Sequence, residues 1–471
     1  MNKTKVIATI GPASQSEDVL EKLIKSGIDV ARINMSHCSH ENCEKIINII
    51  NGLNNKLGTN ISIMLDVAGP NLRTHKFENG RAYLRKGDKI RIYMTEVLGD
   101  NTKFSVNYSR LIEDVSYGSI IKLNGGLIEL EVLDKGNNFI LCEVLDDGFI
   151  EDNKSISVPN VNLKLPFLNS KDKDDILFAV EHHVDFLALS FVESSENILE
   201  INDLLISLND DHMSIIAKVE NNKAVEDIDN IIRVSDGIMI ARGDLGTEIP
   251  LERVPSIQKM IIKKCHMEGK VSIVATDLLA TMENLQLPTR AEVSDIANAV
   301  LDGTDAVLLS EETTIGKYPV ETVSTMEKIL KNAELDIDHL ELTNSALRTE
   351  KTDTTGVIAY NVTETANRLK CKAIITPTIS GYTAKKISRF RPSCPVIAIS
   401  PDIETVKSLN LHFGITPVLV DDISSFDEMI SLSKDIATKL LDIEEKDKVV
   451  ITGGYPFKSV KHTNFMKIEE L

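Results

Sequence analysis

The sequence predicts an α/β fold, namely a (β/α)8 TIM barrel with a small all-β domain inserted into it and a C-terminal α/β domain. Three observations carry this prediction. Eight short apolar or β-branched runs alternate with helical patterns along the first two thirds of the chain. A long stretch without helical periodicity, residues 67–168, interrupts that alternation once, and a second α/β series begins near Asp336.

Each of the eight runs has the pattern of a buried strand, because it is short and apolar and is followed in most cases by a helical pattern. The runs are 5–10, 29–33, 61–66, 185–190, 215–219, 237–241, 271–275 and 305–309, and helical patterns include 16–25, 197–208, 254–268 and 291–301. Eight strands alternating with helices is the count of a closed barrel. An open doubly wound sheet gives a similar string, so periodicity alone leaves closure undecided.

The interrupting stretch follows the third strand and predicts a small β domain. Its alternating segments, 88–93, 119–122, 127–133 and 138–144, are separated by Gly, Asn and Asp. The C-terminal series predicts strands at 373–376, 395–399, 416–420 and 448–452, with helices at 383–390 and 424–441. We therefore expect the barrel in residues 1–68 and 161–335, the inserted domain in 69–160, and a regulatory and assembly domain in 336–471.

The composition restricts the class of partner. Hydrophobic residues make up 42% of the 471 positions, and the first residues, MNKTKVIATIGPAS, lack the apolar segment of a signal peptide, so we expect a cytoplasmic protein. The net charge of −19 argues against nucleic-acid binding and docking on anionic lipid. It does not exclude an anionic substrate in a locally positive pocket. The six cysteines form no CxxC pair, which indicates reduced thiols.

Polar residues stand at the carboxyl ends of five predicted strands, where a barrel carries its chemistry. They are Arg32, Asn34 and Ser36 after the second strand, Asp66 after the third, Lys218 and Glu220 after the fifth, Asp244 after the sixth and Thr276 after the seventh. The spacing of two after the second and fifth strands points those side chains the same way.

Taken singly, each of these residues has a structural explanation. Asp or Asn at a strand end commonly caps a helix or makes a turn, and Lys218 with Glu220 could be a structural ion pair. Thr289 and Glu292 have the spacing of a capping box, and we assign them to helix capping. Structural caps have no reason to converge on one mouth, so we interpret the joint pattern as functional.

The residue types in this set suit phosphoryl transfer, which needs charge neutralisation and little covalent help. Glu220 and Asp244, with no His or Cys ligand nearby, suit a hard divalent cation, Mg²⁺ or Mn²⁺. Lys218 and Arg32 suit phosphate, and the backbone beside Gly243 suits an anion at a helix start.

Two further points concern the cations and the nucleotide. Asn34, Ser36 and Asp66 are oxygen donors suited to a monovalent cation. The sequence contains no P-loop, because Gly316-Lys317 is followed by Tyr318, so a nucleotide must be held in another way.

Five segments resemble those of the pyruvate kinase family, in chain order. They are TKVIATIGPAS (4–14), VARINMSH (30–37), SDGIMIARGDLGTEIP (235–250), PTRAEVSDIANAVLDGTDAVLLSEET (288–313) and TNFMKI (463–468). These matches are long and specific, and they extend over nearly the whole chain. The resemblance implies a glycolytic, Mg²⁺-dependent kinase that transfers the phosphoryl group of phosphoenolpyruvate to ADP, and it implies a homotetramer.

The resemblance also implies roles for individual residues. The substrate would be held by Arg32, Lys218, Gly243, Asp244 and Thr276, the nucleotide by Asn34, Ser36, His37, Arg73 and Lys154, Mg²⁺ by Glu220 and Asp244, and K⁺ by Asn34, Ser36, Asp66 and the carbonyl of Val67. Lys218 would neutralise the phosphoryl group in flight, together with Arg32. The sequence shows no obvious proton donor to the enolate, and Thr276 with a water is our candidate. The inserted domain would close over the barrel mouth as a lid.

A loop of the C-terminal domain, Thr378-Ile-Ser-Gly-Tyr-Thr383, resembles the family's effector-phosphate loop. Its candidate phosphate ligands are Thr378, Ser380, Gly381 and Thr383, at a predicted helix start. A turn with a threonine cap explains the same residues equally well, and the sequence does not identify the effector.

Several positions depart from the family's pattern, and the changes sum toward negative charge. Residues 67–71 read Val-Ala-Gly-Pro-Asn where Thr-Lys-Gly-Pro-Glu is usual, and Asn71 leaves potassium dependence open. The lid segment 154–160 lacks two glycines, Asn-Gly-Gly at 124–126 replaces Asp-Asp-Gly, Glu193 replaces an Arg, and Asp277 replaces a Gln.

The direct ligands implied by the resemblance nevertheless remain, so we expect an active but divergent enzyme. Two alternatives stay open at this point. One is a catalytically inactive sensor that binds phosphorylated metabolites. The other is a lyase that uses Mg²⁺-enolate chemistry on a 2-oxo acid.

Overall fold

The computed structural model describes residues 2–161, 163–348, 353–423, 425–455 and 462–471. The chain begins with the first part of a barrel. Its elements are β1 Lys5–Thr9, α1 Glu17–Ser26, β2 Val30–Asn34, α2 His40–Leu57 and β3 Ser62–Val67. Every residue of β1 and β3 is buried, as expected for parallel strands covered on both faces.

The inserted domain follows β3, as predicted. Its elements are β4 Arg81–Leu84, β5 Lys89–Tyr93, β6 Lys103–Ser105, α3 Leu111–Asp114, β7 Ile120–Leu123, β8 Ile128–Lys135, β9 Phe139–Val144, β10 Gly148–Glu151 and β11 Ile156–Ser157. Six strands form one sheet in the order β11-β7-β8-β9-β5-β6, and β10 pairs with β4. Alternate residues of β8 and β9 are buried in a separate apolar core, which explains the alternating sequence pattern. The single-turn helix α3 was not predicted, because four residues are too few to show helical periodicity.

The second part of the barrel contains five more strands. Its elements are α4 Ser170–Glu181, β12 Phe186–Leu189, α5 Ser195–Ser207, β13 Ser214–Val219, α6 Asn222–Glu226, α7 Ile228–Val234, β14 Gly237–Ala241, α8 Arg242–Glu248, α9 Val254–Glu268, β15 Val271–Ala275, α10 Arg290–Leu301, β16 Ala306–Leu309, α11 Glu311–Thr314 and α12 Pro319–Ala333. Thr289 and Glu292 form the predicted capping box at the start of α10.

The eight barrel strands close on themselves, which periodicity had left undecided. Their order is β1-β16-β15-β14-β13-β12-β3-β2, and β1 pairs with both β16 and β2. Every pair in the ring is parallel. The carboxyl ends of all eight strands therefore meet at one mouth, and their amino ends meet at the opposite base.

The C-terminal domain is a five-stranded sheet with flanking helices. Its elements are α13 His339–Leu347, α14 Thr354–Leu369, β17 Ala373–Pro377, α15 Tyr382–Arg389, β18 Val396–Ser400, α16 Ile403–Ser408, β19 Ile415–Leu419, α17 Phe426–Leu440, β20 Lys448–Gly453 and β21 Phe465–Glu470. The strand order is β19-β18-β17-β20-β21, and β21 is antiparallel to β20. The helix predicted at 424–441 begins at Phe426, and residue 424 lies outside the described residues.

A buried ion pair joins the C-terminal domain to the barrel base. Arg391, 2% exposed, donates from Nη1 to Asp305 Oδ1 at 2.7 Å and from Nη2 to the Gly303 carbonyl at 2.9 Å. Leu411 belongs to the same apolar cluster as side chains inside the barrel. Among the described residues, no helix combines the length and the apolar character needed to cross a membrane.

Candidate active site at the barrel mouth

The mouth of the barrel encloses a cavity of about 620 Å³, the size range of small-molecule sites. The cavity is lined by ten of the residues singled out from the sequence: Arg32, Asn34, Ser36, His37, Asp66, Arg73, Lys218, Glu220, Asp244 and Thr276. They converge because parallel strands place their carboxyl ends side by side. Asn34 pairs directly with Asp66 across β2 and β3, for example.

Asp66 lies at the bottom of the cavity and holds two cations. Arg32 Nε and Nη2 each lie 2.8 Å from Asp66 Oδ2, and Lys218 Nζ lies 3.3 Å from Oδ1. Arg32 Nη1 also donates to Thr9 Oγ1 at 2.8 Å. Burial alone would raise the pKa of Asp66, but the charges of Lys218 and Arg32 hold it below its usual value. Asp66 is therefore ionised and orients both cations.

Lys218 connects Asp66 to the second carboxylate of the fifth strand. Its Nζ lies 2.9 Å from Glu220 Oε1 and donates to Ser190 Oγ at 2.7 Å. Although burial opposes the charged form, the two carboxylates keep the pKa of Lys218 above its usual value. Lys218 is thus a fixed positive charge that faces the cavity.

Glu220 and Asp244 offer two carboxylates to one cavity. Burial raises the pKa of Glu220 to about 7, Lys218 opposes this shift, and the negative charge of Asp244 adds to it. The mutual repulsion shows that a cation between them would be stabilised, so the pair fits a hard divalent ion. No group of three or more His, Cys, Asp or Glu suited to a metal occurs among the described residues, so substrate and water oxygens would complete this coordination.

Thr276 follows β15 in an unusual backbone conformation. Its φ is 72° and that of Asp277 is 55°, a region that side chains other than glycine rarely adopt. Arg242 fixes this turn, since its Nη2 donates to the Thr276 carbonyl and its Nη1 contacts Asp295, both at 2.6 Å. The Thr276 hydroxyl accepts from Gly243 N at 2.8 Å and donates to the Ala275 carbonyl at 2.6 Å.

The predicted nucleotide residues lie at the rim between the barrel and the inserted domain. Burial lowers the pKa of His37, as do the nearby charges of Arg73 and Arg32, so its ring is neutral at pH 7. Arg73 donates to the Asn153 carbonyl at 2.9 Å. Lys154 is exposed and contacts Glu151 at 3.3 Å, so it stands at the edge rather than in the cavity wall.

Two of the predicted donors for K⁺, Asn34 and Asp66, already have contacts within the protein. Asn34 Oδ1 accepts from the backbone N–H of Ser36 at 3.0 Å, and both oxygens of Asp66 contact Arg32 or Lys218. Val67 is buried at the end of β3, beside the mouth. A monovalent cation here would share Asn34 Oδ1 and the Asp66 carboxylate with these partners.

The predicted effector loop lies at the carboxyl end of β17, at the start of α15. Gly381 has a φ of 70° and caps the helix, and Ser380 is exposed. Thr383 is buried, with its hydroxyl 2.8 Å from that of Thr463. Thr378 donates its backbone N–H to the Ile399 carbonyl at 2.9 Å.

Two of the departures from the family pattern are compensated locally. Glu193 forms an ion pair with Lys223 at 2.7 Å, which offsets its charge beside the mouth. Asn71 donates to Ser155 Oγ of the lid at 3.2 Å. Asp277 is exposed, so its charge is screened by water.

Sequence reasoning missed three groups that contact the central residues. Thr9 is the last residue of β1, and Ser190 directly follows β12. The rule that polar residues at the carboxyl ends of barrel strands carry the chemistry would therefore have found both. The backbone N–H of Phe191 donates to Glu220 Oε2 at 2.6 Å, and the φ of Phe191 is 56°. No sequence pattern marks a backbone donor of this kind.

Comparisons with known proteins assign the family. Residues 1–323 match the family model "Pyruvate kinase, barrel domain", and residues 357–469 match "Pyruvate kinase, alpha/beta domain". The chain is 44% identical over 470 residues to a pyruvate kinase of Sporosarcina psychrophila, covering 99% of this chain and 80% of that protein. It is 41% identical over 478 residues to a pyruvate kinase of Clostridium perfringens, covering 100% of both.

The fold agrees with a solved structure as well. A crystal structure of a pyruvate kinase from Cryptosporidium parvum superposes with a TM-score of 0.93 at 35% identity, covering 100% of this chain and 96% of the other. The matches of both domains, the sequence identity over the full length and the geometry of the mouth all point to the same family. The chain therefore belongs to the pyruvate kinase family.

Proposed function

We propose that this phosphotransferase moves the phosphoryl group of phosphoenolpyruvate to ADP, giving pyruvate and ATP, with Lys218 as the residue that neutralises the moving group. One observation supports this role above the others. Lys218 is buried and held between Asp66 and Glu220, whose charges raise its pKa, with Arg32 on the other side of Asp66. Two fixed cations thus face a cavity that also carries a carboxylate pair.

The other residues act by binding and orientation. Arg32 contacts the substrate phosphate, and Thr276 with the backbone at Gly243 and Asp244 positions phosphoenolpyruvate. Asn34, Ser36, His37, Arg73 and Lys154 face the nucleotide. Thr276 with a water remains our candidate for the proton source, although its hydroxyl would first have to leave the Ala275 carbonyl.

Glu220 and Asp244 would hold Mg²⁺ or Mn²⁺. When bound, the ion supplies charge neutralisation for the oxygens of the transferring phosphate. The carboxylates must both be ionised to hold it, and the N–H of Phe191 keeps Glu220 oriented toward the cavity.

We also propose the division into barrel (1–68 and 161–335), lid (69–160) and C-terminal regulatory domain (336–471), and a cytoplasmic homotetramer. The lid closes over the mouth and excludes water during transfer. The loop from Thr378 to Thr383 is the proposed site of a phosphorylated effector. Any K⁺ would bind Asn34, Ser36, Asp66 and the carbonyl of Val67, and it would share the oxygens of Asn34 and Asp66 with their present partners.

The direct test is to incubate the chain with Mg²⁺, phosphoenolpyruvate and ADP, with and without K⁺, and to measure pyruvate. We expect turnover that disappears when the divalent ion is chelated. Binding of phosphoenolpyruvate without turnover would contradict the proposal. Equal rates with and without K⁺ would exclude the potassium role of Asn34, Ser36, Asp66 and Val67.

A structural test examines the metal pair itself. A crystal soaked with manganese and oxalate should show the ion between Glu220 and Asp244. An ion elsewhere, or these side chains turned away from the cavity, would overturn the assignment.

A further inference from the structure

A second cavity lies at the base of the barrel, on the face opposite the mouth. It has a volume of about 240 Å³ and lies between the amino ends of four barrel strands and helix α15 of the C-terminal domain. Phe186, Ser214 and Val271 line it from the first residues of β12, β13 and β15. A single water needs only about 10–15 Å³, so this cleft has room for an organic molecule. We call it the base cleft.

Basic side chains from both domains line the base cleft. Lys270 comes from the barrel, and Lys385, Lys386 and Arg389 come from α15. Two acidic residues also line it, Asp236 and Glu268. Asp236 accepts a hydrogen bond from Ile215 N at 2.9 Å, and Glu268 is exposed. In a chain with a net charge of −19, this concentration of cations is a local exception.

Lys385 is the residue that points most clearly to a ligand. It is partly buried, and it makes no side-chain hydrogen bond or ion pair with any residue in the described part of the chain. Burial lowers the pKa of its ammonium, Asp236 opposes that shift, and the like charge of Lys270 adds to it. A desolvated ammonium without an acceptor is costly, so an anion in the cleft would be stabilised.

Lys270 adds a second positively charged side chain to the wall of the cleft. Its Nζ donates to the Ser235 carbonyl at 2.6 Å, which uses one of its three donors and fixes its position. Lys270 and Lys385 therefore present positive charge from the barrel and from the C-terminal domain toward one space.

The rest of the wall consists mainly of apolar and hydroxyl-bearing residues, together with the imidazole of His412. Phe186, Ile216, Val271 and Leu411 provide the apolar surface, and Tyr382 and Ser408 also line the cleft. A bare inorganic ion would leave this apolar surface unused. A small carbon skeleton bearing a phosphate matches both parts of the wall.

We propose that the base cleft binds a small organic phosphate monoester, with its phosphate between Lys270 and Lys385. This site is separate from the mouth, and its lining includes Tyr382 of the loop Thr378–Thr383 but none of the candidate phosphate ligands Thr378, Ser380, Gly381 and Thr383. Because each domain contributes one lysine, the ligand bridges the domains and stabilises the folded chain by mass action.

The test uses isothermal titration calorimetry on the full chain without divalent ions, with glycerol 3-phosphate as the probe and glycerol as the neutral analogue. Lys385→Met and Lys270→Met should each weaken binding of glycerol 3-phosphate at this site at least tenfold. Lys434→Met, on α17 of the same domain, is the matched control for the loss of one positive charge. Lys218→Met shows whether any of the measured binding of glycerol 3-phosphate occurs at the mouth. Both controls should retain the base-cleft affinity.

A second readout is the unfolding temperature. Glycerol 3-phosphate should raise it in the wild type and in Lys434→Met, and the increase should be lost in both cleft variants. Unchanged affinity in Lys385→Met and Lys270→Met, or a loss only in Lys218→Met, would overturn the site. If glycerol binds as tightly as glycerol 3-phosphate, the site does not require a phosphate group, and the proposal is wrong. If inorganic phosphate binds as tightly, the site does not require an organic ester, and the proposal is also wrong.

Discussion

Asp66, Lys218 and Glu220 form a line of alternating charges at the bottom of the mouth. Lys218 lies 3.3 Å from Asp66 and 2.9 Å from Glu220, and all three side chains are at least nine-tenths buried. In this low-dielectric setting each charge depends on its neighbours, and none is free to reorganise when substrate arrives. The ammonium of Lys218 is therefore positioned before the reaction begins.

Replacing Lys218 should remove most of the catalytic activity. In Lys218→Met we expect kcat to fall by at least about a hundredfold, as when one preorganised charge donor is lost. Steady-state pyruvate formation at saturating substrates measures this, and circular dichroism checks the fold. Lys264→Met, which breaks the outer ion pair with Asp229, should behave as wild type. Equal rates for Lys218→Met and wild type would contradict the assigned role.

The raised pKa of Glu220 predicts a pH dependence of metal binding. With a pKa of about 7 in the metal-free protein, the carboxyl is mostly protonated below that pH, so an incoming ion must displace a proton. Mn²⁺ affinity should fall by up to about tenfold per pH unit below pH 7. Electron paramagnetic resonance of free Mn²⁺ measures this.

The matched variants for this prediction are Glu220→Gln and Glu226→Gln. Glu220→Gln should bind Mn²⁺ more weakly and lose the pH dependence near 7. Glu226, which accepts a hydrogen bond from Asn222 on α6, should be replaceable without effect. A pH profile that is the same in wild type and Glu220→Gln would rule out the titration of Glu220.

At the scale of elements, the lid is joined to the barrel mouth by a side-chain contact. Ser157 of β11 donates to Glu248 of α8, which is the helix that carries Asp244. Burial raises the pKa of Glu248, and the Ser157 hydrogen bond opposes that rise. The segment that lost two glycines relative to the family pattern therefore still reaches the mouth through Ser157.

Removing this contact should loosen the lid. A hydrogen bond to a charged acceptor contributes about 1.5–3 kcal/mol, so Ser157→Ala should lower the closed population and raise the KM for ADP by about tenfold. Initial rates at varied ADP measure this. Ser116→Ala, at an exposed position of the same domain, is the control. An unchanged KM in Ser157→Ala would show that the contact does not hold the lid.

At the scale of the whole molecule, a fully buried ion pair connects the barrel base with the C-terminal domain. Asp305 precedes β16 and accepts from Arg391, and Arg391 also stacks 4.5 Å over the Phe413 ring. Burial would raise the pKa of Asp305, but the Arg391 guanidinium holds it below the usual 3.8. The stabilisation is therefore present above that pH and is lost as the pH falls through the lower, folded-state pKa.

Breaking this pair should destabilise the protein more than breaking any surface pair. Arg391→Met leaves Asp305 buried and unpaired, which costs about 3–5 kcal/mol. Urea unfolding at pH 7 measures the loss. Arg368→Met, which removes an exposed partner of Glu364, should change stability by less than about 0.5 kcal/mol. Similar losses of stability in both variants would show that the buried Arg391–Asp305 pair contributes no more than an exposed pair.

Much of the fold and site was predictable from local patterns. The eight strand runs, the inserted β domain and the convergence of Arg32, Lys218 and Glu220 followed from short-range periodicity and from the rule for strand ends. The helix α3 and the strand β21 were missed, because one is too short and the other is too exposed to show a pattern.

The sequence by itself determined that Arg32, Lys218 and Glu220 reach the mouth, because the side-chain direction along a strand depends on residue spacing. Only the tertiary structure decided that the barrel closes, that the backbone N–H of Phe191 donates to Glu220, and that Lys385 and Lys270 both line the base cleft. Those features join residues far apart in the chain. Their relation is set by packing between strands and domains, which no local pattern encodes.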